Sequence, residues 1–517
     1  DESLSPVPSG QGGAGGVAAS TGSGGDGGTI DPPVPPSEPV PLAVPQWMVA
    51  KVNGSTDGVY DALEQNTFVL PEEGSYLGHT WTAVTPGEMG ELIQTNASIF
   101  YAAAMVHVDK DTHVFARGDT VYGFHVNGEA RQPGDFYHSR RMRVPLALKE
   151  GDNLVVVRAL GQRSVPEVEL WSTTSELVFN PNDLTAPDLV VGSALEQPVG
   201  LPLLNLTDEA LGDLKAKVIE SDAFEATELV VPFLAPESAT QVSFLLRPKA
   251  PFAAGGEEVT IHLQVESPSL AWTYDQDITL TTLGAGSRYK RSRLSAADGS
   301  TQYYAVLPPT VETAGESYGL ILSLHGAGVD APGQAASYAP KDWAYLVAPT
   351  NRRPYGFDWE EWGRLDAIEA LDDATAAYPI DPARVHLTGH SMGGHGTWNV
   401  GAHFPGRFGV IAPSAGWISF ETYTGPAHAT GPIGRSRNAS QTLDYVENFA
   451  ARSVYIVHGE KDDNVPVWHA QTMFETLQPI TTDLSYYEDP NGRHWWDNDP
   501  KEGADCVDWD PMMALME

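Results

Sequence analysis

The chain has 517 residues, 41% of them hydrophobic, and a formal net charge of −38 at pH 7. This length exceeds what one hydrophobic core supports and predicts about three domains. So large a negative charge argues against nucleic acid or an anionic membrane as a partner, because both would repel the chain. Cys506 is the only cysteine, which excludes an internal disulfide, and no apolar run is long enough to span a bilayer.

Residues 1–45 are rich in Gly, Ser, Ala and Pro and contain few bulky apolar side chains. Such a composition does not offset the entropy of ordering, so we predict a disordered linker that stiffens where proline accumulates after Asp31. Linkers of this kind commonly tether surface proteins. We therefore expect a secreted or cell-surface protein, with a lipid tether upstream of the N-terminus as a further hypothesis.

Residues 46–180 and 181–284 are predicted to form two all-β, sandwich-like domains, because short apolar or alternating runs are separated by Gly, Pro and Asn turns. The segments 122–129 and 148–153 of the first domain loosely resemble jelly-roll accessory modules of carbohydrate-active enzymes. The second domain reads as immunoglobulin-like. Three aromatic residues either stack on sugars or pack in a core: Tyr122, Tyr137 and Trp171. The predicted strands are 98–108, 119–126, 141–146, 153–157, 228–231, 241–246, 258–265 and 276–280.

Residues 285–517 alternate apolar strands with helical periodicity, which predicts a doubly wound, mostly parallel sheet. Sites in such sheets lie at the carboxyl ends of the strands. The predicted elements are strands 318–324, 343–348, 408–412, 453–457 and 484–487, a helix over 362–378, and a strand that enters the segment 385–394.

That segment, Val-His-Leu-Thr-Gly-His-Ser-Met-Gly-Gly, is an apolar run that ends in G-x-S-x-G. A strand before this motif and a helix after it predict the nucleophile elbow of an α/β hydrolase, with Ser391 as the nucleophile. Gly389 and Gly393 would allow the close approach that so tight a turn requires. The alternative is a glycine-rich turn with an incidental serine.

A nucleophilic serine needs a base, and the base needs an acid that fixes its tautomer. The segment 457–466 carries an H-G-x-x-D-x-x-V-P pattern after a strand, so the acid is predicted to be Asp462, with Asp463 as its competitor. His494 follows the last predicted strand and is the predicted base. Two N–H donors for the oxyanion are expected from Met392 and from the H-G-A-G loop, at Ala327 or Gly326.

Together these motifs resemble the α/β-hydrolase superfamily, and within it the prolyl-oligopeptidase-like and polyhydroxybutyrate-depolymerase or feruloyl-esterase branches. The resemblance covers residues 287–517 and implies hydrolysis of an ester or amide through an acyl-enzyme, without metal or organic cofactor. Prolyl oligopeptidases proper use a tyrosine of a Tyr-Gly-Gly-like segment as an oxyanion donor. This chain carries His325-Gly326-Ala327 there, which favours an esterase.

The substrate pocket is expected to include the side chains next to these motifs and in the long insertion after residue 412. Aromatic residues of that insertion either form a lid and pocket or pack it onto the domain. Acidic residues between 497 and 505 lack the spacing of a known calcium loop, so no metal is predicted. The predicted pocket residues are His325, His390, Trp417, Trp495 and Trp496.

The overall prediction is an exported serine esterase that acts on carboxylic esters, including polyesters and esters linked to plant polysaccharides. The alternatives are a serine peptidase of the prolyl-oligopeptidase-like branch and a surface carbohydrate-binding protein with an inert hydrolase domain.

Overall fold

The computed structural model describes residues 38–52, 58–92, 99–131, 140–161, 165–267, 272–353, 356, 358–423 and 431–517. Residues 1–37 of the predicted linker are not among the described residues, and neither is Tyr137. The last part of the predicted linker is not all irregular, because Val40–Leu42 forms a strand that pairs with Leu170, Trp171 and Ser172.

The first β-rich region contains two antiparallel sheets, with strand orders β1-β11-β6-β9 and β3-β4-β2-β5-β10-β7-β8. Inward-facing residues of both sheets share one core, for example Ala102 of the larger sheet and Val114 of the smaller one. The predicted strand 119–126 begins at Val121 instead, because Thr120 adopts a φ of 56° and turns the chain after Asp119, which ends the preceding strand. The elements are β1 Val40–Leu42, β2 Trp47–Lys51, α1 Gly58–Glu64, β3 Gly74–Tyr76, β4 His79–Val84, β5 Ile99–Val108, β6 Thr112–Asp119, β7 Val121–Val126, β8 Glu129–Arg131, β9 Val144–Leu148, β10 Gly151–Leu160 and β11 Glu167–Thr173.

The second β-rich region also contains two sheets, ordered β12-β14-β17 and β13-β19-β18-β15-β16. Leu201 and Val242 of the first sheet share a core with Ile261 and Leu263 of the second. Whether the two regions have the predicted jelly-roll-like and immunoglobulin-like folds stays a prediction, as do the domain boundaries. The elements are β12 Leu177–Phe179, a 3₁₀ turn Pro181–Asp183, β13 Leu189–Val190, β14 Gln197–Asn205, β15 Leu211–Val218, β16 Thr227–Leu234, β17 Ser238–Leu246, β18 Glu258–Ser267 and β19 Trp272–Leu283.

The C-terminal region is built on one sheet, ordered β20-β21-β23-β22-β24-β25-β26-β27. The elements are β20 Tyr289–Leu294, β21 Thr301–Leu307, β22 Tyr318–Leu324, α2 Ala331–Ala336, β23 Ala344–Pro349, α3 Glu361–Ala377, β24 Ile380–His390, α4 Met392–His403, β25 Val410–Ser414, α5 Phe420–Tyr423, α6 Gly431–Arg437, β26 Ser453–Gly459, α7 Trp468–Leu477, β27 Leu484–Asp489 and α8 Asp510–Met516, with 3₁₀ turns at Pro405–Arg407, Asn438–Ser440 and Thr442–Phe449.

The strands from β23 to β27 in this sheet order run parallel, while β20 and β21 form an antiparallel edge. Every residue of β22 and β23 is buried, as expected for strands covered on both faces. The carboxyl ends of β22, β24, β26 and β27 lie at the same edge of the sheet, and the loops that follow them carry the predicted site. In the part of the chain that the structure describes, none of the helices combines the length and apolarity needed to cross a membrane.

Candidate active site

The serine of the G-x-S-x-G segment lies on the tight turn between β24 and α4. Ser391 has φ 60° and ψ −118°, a conformation that costs a non-glycine residue about 1–3 kcal/mol. The turn closes because its neighbours lack side chains. A Cβ on Gly393 would lie 1.8 Å from the carbonyl oxygen of Leu324, and one on Gly389 would lie 2.4 Å from the carbonyl oxygen of Gly393. The backbone thus places the serine at the carboxyl edge of the sheet.

A chain of hydrogen bonds joins Ser391, His494 and Asp462. The Oγ of Ser391 lies 2.8 Å from Nε2 of His494, and Nδ1 of His494 lies 3.0 and 2.9 Å from the two carboxylate oxygens of Asp462. The histidine follows β27 and the aspartate follows β26, so three parallel strands bring together residues that are up to 103 positions apart. This is the order and geometry in which a serine hydroxyl, a base and an orienting acid cooperate.

The side chain of Asp462 is fully buried, and its charge is held by several donors. The backbone N–H groups of Asn464 and Val465 donate to Oδ1 at 2.9 and 2.8 Å, and Nε2 of His458 lies 3.2 Å from Oδ2. Burial by itself would raise the pKa of Asp462, but the hydrogen bonds from His458 and His494 outweigh it and hold that pKa well below its usual range. The carboxylate is therefore ionised throughout the neutral range.

The neighbouring Asp463 is in a different environment. Its side chain is 59% exposed and lies 3.5 Å from the guanidinium of Arg493 at the surface. Of the two aspartates that the motif offers, only Asp462 contacts His494 in the described part of the chain. The role of Asp462 as the acid stays a prediction, and this contact supports it over Asp463.

The loop after β22 lies next to the serine. A Cβ placed on Gly326 would lie 3.5 Å from the Cβ of Ser391, so the backbone of this glycine borders the turn. Gly326 is buried and Ala327, the next residue, is exposed. On the other side, Met392 is the first residue of α4, where backbone N–H groups have no partner within the helix. The predicted oxyanion donors thus flank the serine, and their role stays a prediction.

Four of the five predicted pocket residues are buried and Trp495 is half exposed, and the role of all five as pocket lining stays a prediction. His325 is fully buried and its ring nitrogens lie 2.9 and 3.0 Å from the backbone oxygens of Gly326 and Thr350. Trp417 is 2% exposed within the core, and Trp496 is 6% exposed between the sheet and α8.

His390 and Trp495 do lie beside the catalytic candidates. Nε2 of His390 lies 2.7 Å from the carbonyl oxygen of His494, and the two imidazole centroids are 4.9 Å apart. Burial lowers the pKa of His390 to about 3, so its ring is neutral and donates Nε2–H to that carbonyl. Trp495 is 50% exposed and packs edge-on against His390 at 5.2 Å.

Two supporting histidines were not assigned a role from the sequence. His458 bonds the carboxylate of Asp462 and also the carbonyl oxygen of Val465, at 2.9 Å. Its position four residues before the aspartate in the motif is the signal that marks it. His395 of α4 lies 3.0 Å from the carboxylate of Glu360 and stacks on Trp417, which ties the helix after the serine to the insertion. No sequence pattern marked this second contact.

Parts of the chain are similar in sequence to known proteins. Residues 352–509 match the model of the prolyl oligopeptidase family. An uncharacterized secreted protein of Arthroderma benhamiae is 26% identical over 436 residues, which are 77% of this chain and 46% of that protein. The uncharacterized peptidase YuxL of Bacillus subtilis is 25% identical over 294 residues, 50% of this chain and 42% of that protein. A poly(3-hydroxyoctanoate) depolymerase of Pseudomonas fluorescens is 28% identical over 118 residues, 23% of this chain and 37% of that protein.

The chain thus spans less than half the length of these curated relatives. The family match covers the strand, elbow and loops that carry Ser391, Asp462 and His494, and it confirms the resemblance drawn from the motifs. The C-terminal region is therefore an α/β-hydrolase-type domain that is similar to the prolyl oligopeptidase family over residues 352–509.

Proposed function

We propose that the protein is an exported serine esterase that cleaves carboxylic esters through an acyl-enzyme. The observation that carries the proposal is the unbroken chain of hydrogen bonds from Ser391 through His494 to Asp462. His494 takes the proton of the serine hydroxyl as its oxygen attacks the ester carbonyl carbon, and then gives that proton to the leaving alcohol. A water molecule, activated by the same histidine, releases the acid and regenerates the serine.

The negative charge that develops on the carbonyl oxygen requires two preset donors. We assign these to the backbone N–H of Met392 and to the N–H of Ala327 or Gly326. Two observations support the assignment: the first is the start of α4, and the second is the close approach of Gly326 to Ser391. Both donors would come from backbone, so substrate binding would need no movement of a side chain to complete the site.

Three observations favour an exported esterase. The H-G-A-G loop stands where peptidases of the family carry a tyrosine donor. One relative is named a depolymerase of a polyester, and another is named a secreted protein. A short-chain ester or a polyester is the substrate class that we propose on this basis.

A serine peptidase is the second candidate. It is favoured by the family match and by the relative named a peptidase. The two candidates use the same three residues, so only a matched pair of substrates separates them.

The test combines labelling and turnover in the full chain. We expect Ser391→Ala to abolish covalent labelling by a fluorophosphonate and turnover of aryl acetates, with unchanged circular dichroism. Ser337→Ala is the matched control, because among the described residues its hydroxyl bonds only the helix carbonyl oxygen of Gly333, at 3.2 Å. Labelling that persists in Ser391→Ala would show that another residue is the nucleophile. In the wild type, p-nitrophenyl esters should turn over far faster than matched p-nitroanilides, and preferential cleavage of prolyl amides would assign the protein to the peptidases.

A further inference from the structure

A cavity lies where the two β-rich regions meet, and its lining residues are distant from Ser391 in the sequence. Its volume is about 540 Å³. One wall is a face of the sheet β1-β11-β6-β9, and the other is formed by β12, the turn after it and β19. This size is within the range of small-molecule sites, which often lie at the boundary between domains.

The first wall owes its composition to strand register. Phe115 pairs with Trp171, and Arg117 pairs with Glu169, on the neighbouring strands β6 and β11. Because residues two apart on a strand share a face, these four side chains point into the same cavity. The guanidinium of Arg117 lies 3.1 Å from the carboxylate of Glu169, so the polar pair is preset beside the aromatic pair.

The opposite wall also offers an aromatic residue next to polar groups. Tyr274 is half-buried and packs against the buried Phe179 with ring centroids 5.2 Å apart. Gln276, two residues after it, shares its face of β19 and also lines the cavity. Trp171 on the first wall is half-buried as well. Each wall therefore presents one aromatic side chain with part of its surface open to the cavity.

The charges in the cavity nearly balance although the chain as a whole is strongly acidic. Two carboxylates, of Glu38 and Glu169, and two guanidiniums, of Arg117 and Arg143, line it. Such a lining offers both acceptors and planar donors, which suits a neutral ligand with many hydroxyl groups. A strongly anionic or cationic ligand would meet like charges.

We propose that this cavity is a binding site for a neutral oligosaccharide, whose sugar rings stack on Trp171 and Tyr274. Hydroxyl groups of the sugar donate to the carboxylate of Glu169 and to the amide oxygen of Gln276, and accept from Arg143. The guanidinium of Arg143 is held 5.0 Å above the ring of Phe115 and donates to the carbonyl oxygen of Phe179 at 3.4 Å, so its direction is preset. The site would hold the enzyme on a polysaccharide surface independently of the chemistry at Ser391.

The test measures binding to the full chain by isothermal titration calorimetry. The probes are unesterified hexasaccharides of glucose, xylose and mannose, each linked β-1,4, which the esterase site cannot hydrolyse. We expect at least one of them to bind, and Trp171→Ala to raise its Kd at least about tenfold, the usual effect of removing a buried aromatic anchor. Trp468→Ala is the matched control, because this exposed tryptophan lies in α7 of the hydrolase region.

Gln276→Ala guards against a folding defect, since Gln276 is only half-buried and its removal leaves the aromatic packing intact. We expect this variant to keep the wild-type melting temperature and to bind several-fold more weakly. Absence of binding by all three hexasaccharides overturns the proposal. Binding that is unchanged in both Trp171→Ala and Gln276→Ala also overturns it, because the sugar would then bind elsewhere. Selective binding of a polyproline peptide instead would assign the cavity to protein recognition.

Discussion

The replacement Asp462→Asn tests the proposed mechanism most sharply, because the structure dictates how the new amide will lie. Oδ1 of the aspartate accepts from two backbone N–H groups, those of Asn464 and Val465. An NH₂ group in that place would put its own hydrogens against these two N–H groups and would be repelled by them. The amide oxygen of the asparagine therefore takes the place of Oδ1, and its NH₂ group takes the place of Oδ2.

In that orientation the NH₂ group faces Nδ1 of His494, which lies 2.9 Å from Oδ2 in the wild type. It also faces Nε2 of His458, 3.2 Å from Oδ2, which keeps its bond to the carbonyl oxygen of Val465. His494 then accepts at Nδ1 and carries its proton on Nε2, which lies 2.8 Å from the Oγ of Ser391. A protonated Nε2 cannot take the proton of the serine. We expect kcat to fall by about 10³- to 10⁴-fold, the effect of the wrong tautomer in a serine triad, which corresponds to about 4–5.5 kcal/mol in the activation free energy.

The assay is single-turnover and steady-state hydrolysis of an aryl acetate, with the rate of fluorophosphonate labelling as a second measurement. Asp463→Asn is the control, since its exposed pair with Arg493 is worth at most about 1 kcal/mol of stability and does not touch His494. We expect it to change kcat less than about threefold. A larger loss in Asp463→Asn than in Asp462→Asn, with both variants folded, would refute the assignment of the acid.

Three further predictions follow from contacts around the site. His390→Phe removes the N–H that donates to the carbonyl oxygen of His494 at 2.7 Å and keeps a ring of similar size. We expect kcat to fall roughly tenfold with little change in KM, and an unchanged kcat would show that His390 does not position His494. Gly393→Ala would place a Cβ 1.8 Å from the Leu324 carbonyl oxygen, so we expect a large loss of melting temperature, and a wild-type melting curve would contradict the tight elbow. Burial lowers the pKa of His386 to about 4 from 6.5, so its contribution to stability is present above pH 6.5 and is lost as pH falls toward 4. When the pH is lowered from about 7 to 5, the free energy of unfolding measured in urea should fall by about 2 kcal/mol less in His386→Gln than in the wild type. Equal decreases in the two proteins would argue against a buried neutral ring.

Much of the site could be predicted because its parts are local. The elbow depends on Gly389 and Gly393, whose lack of side chains permits a turn that can be read from five consecutive residues. The acid depends on the register of a short motif after a strand, and His494 on its place after the last strand. Parallel strands then bring their carboxyl ends to one edge of the sheet, so the order of elements was enough to predict that the three residues meet.

Only the tertiary structure decided which side chains are buried and which residues distant in the sequence contact one another. Trp417 and Trp496 lie next to predicted functional segments, yet both side chains are buried because elements distant in the sequence pack around them. The contact of His390 with His494 joins residues 104 positions apart, and the cavity between Trp171 and Tyr274 exists only because two separate β-rich regions meet. A local pattern specifies the backbone turn that it forms, because the steric limits act between neighbouring residues. Which side chain stays exposed is set by what packs against it, and no single segment of the sequence contains that information.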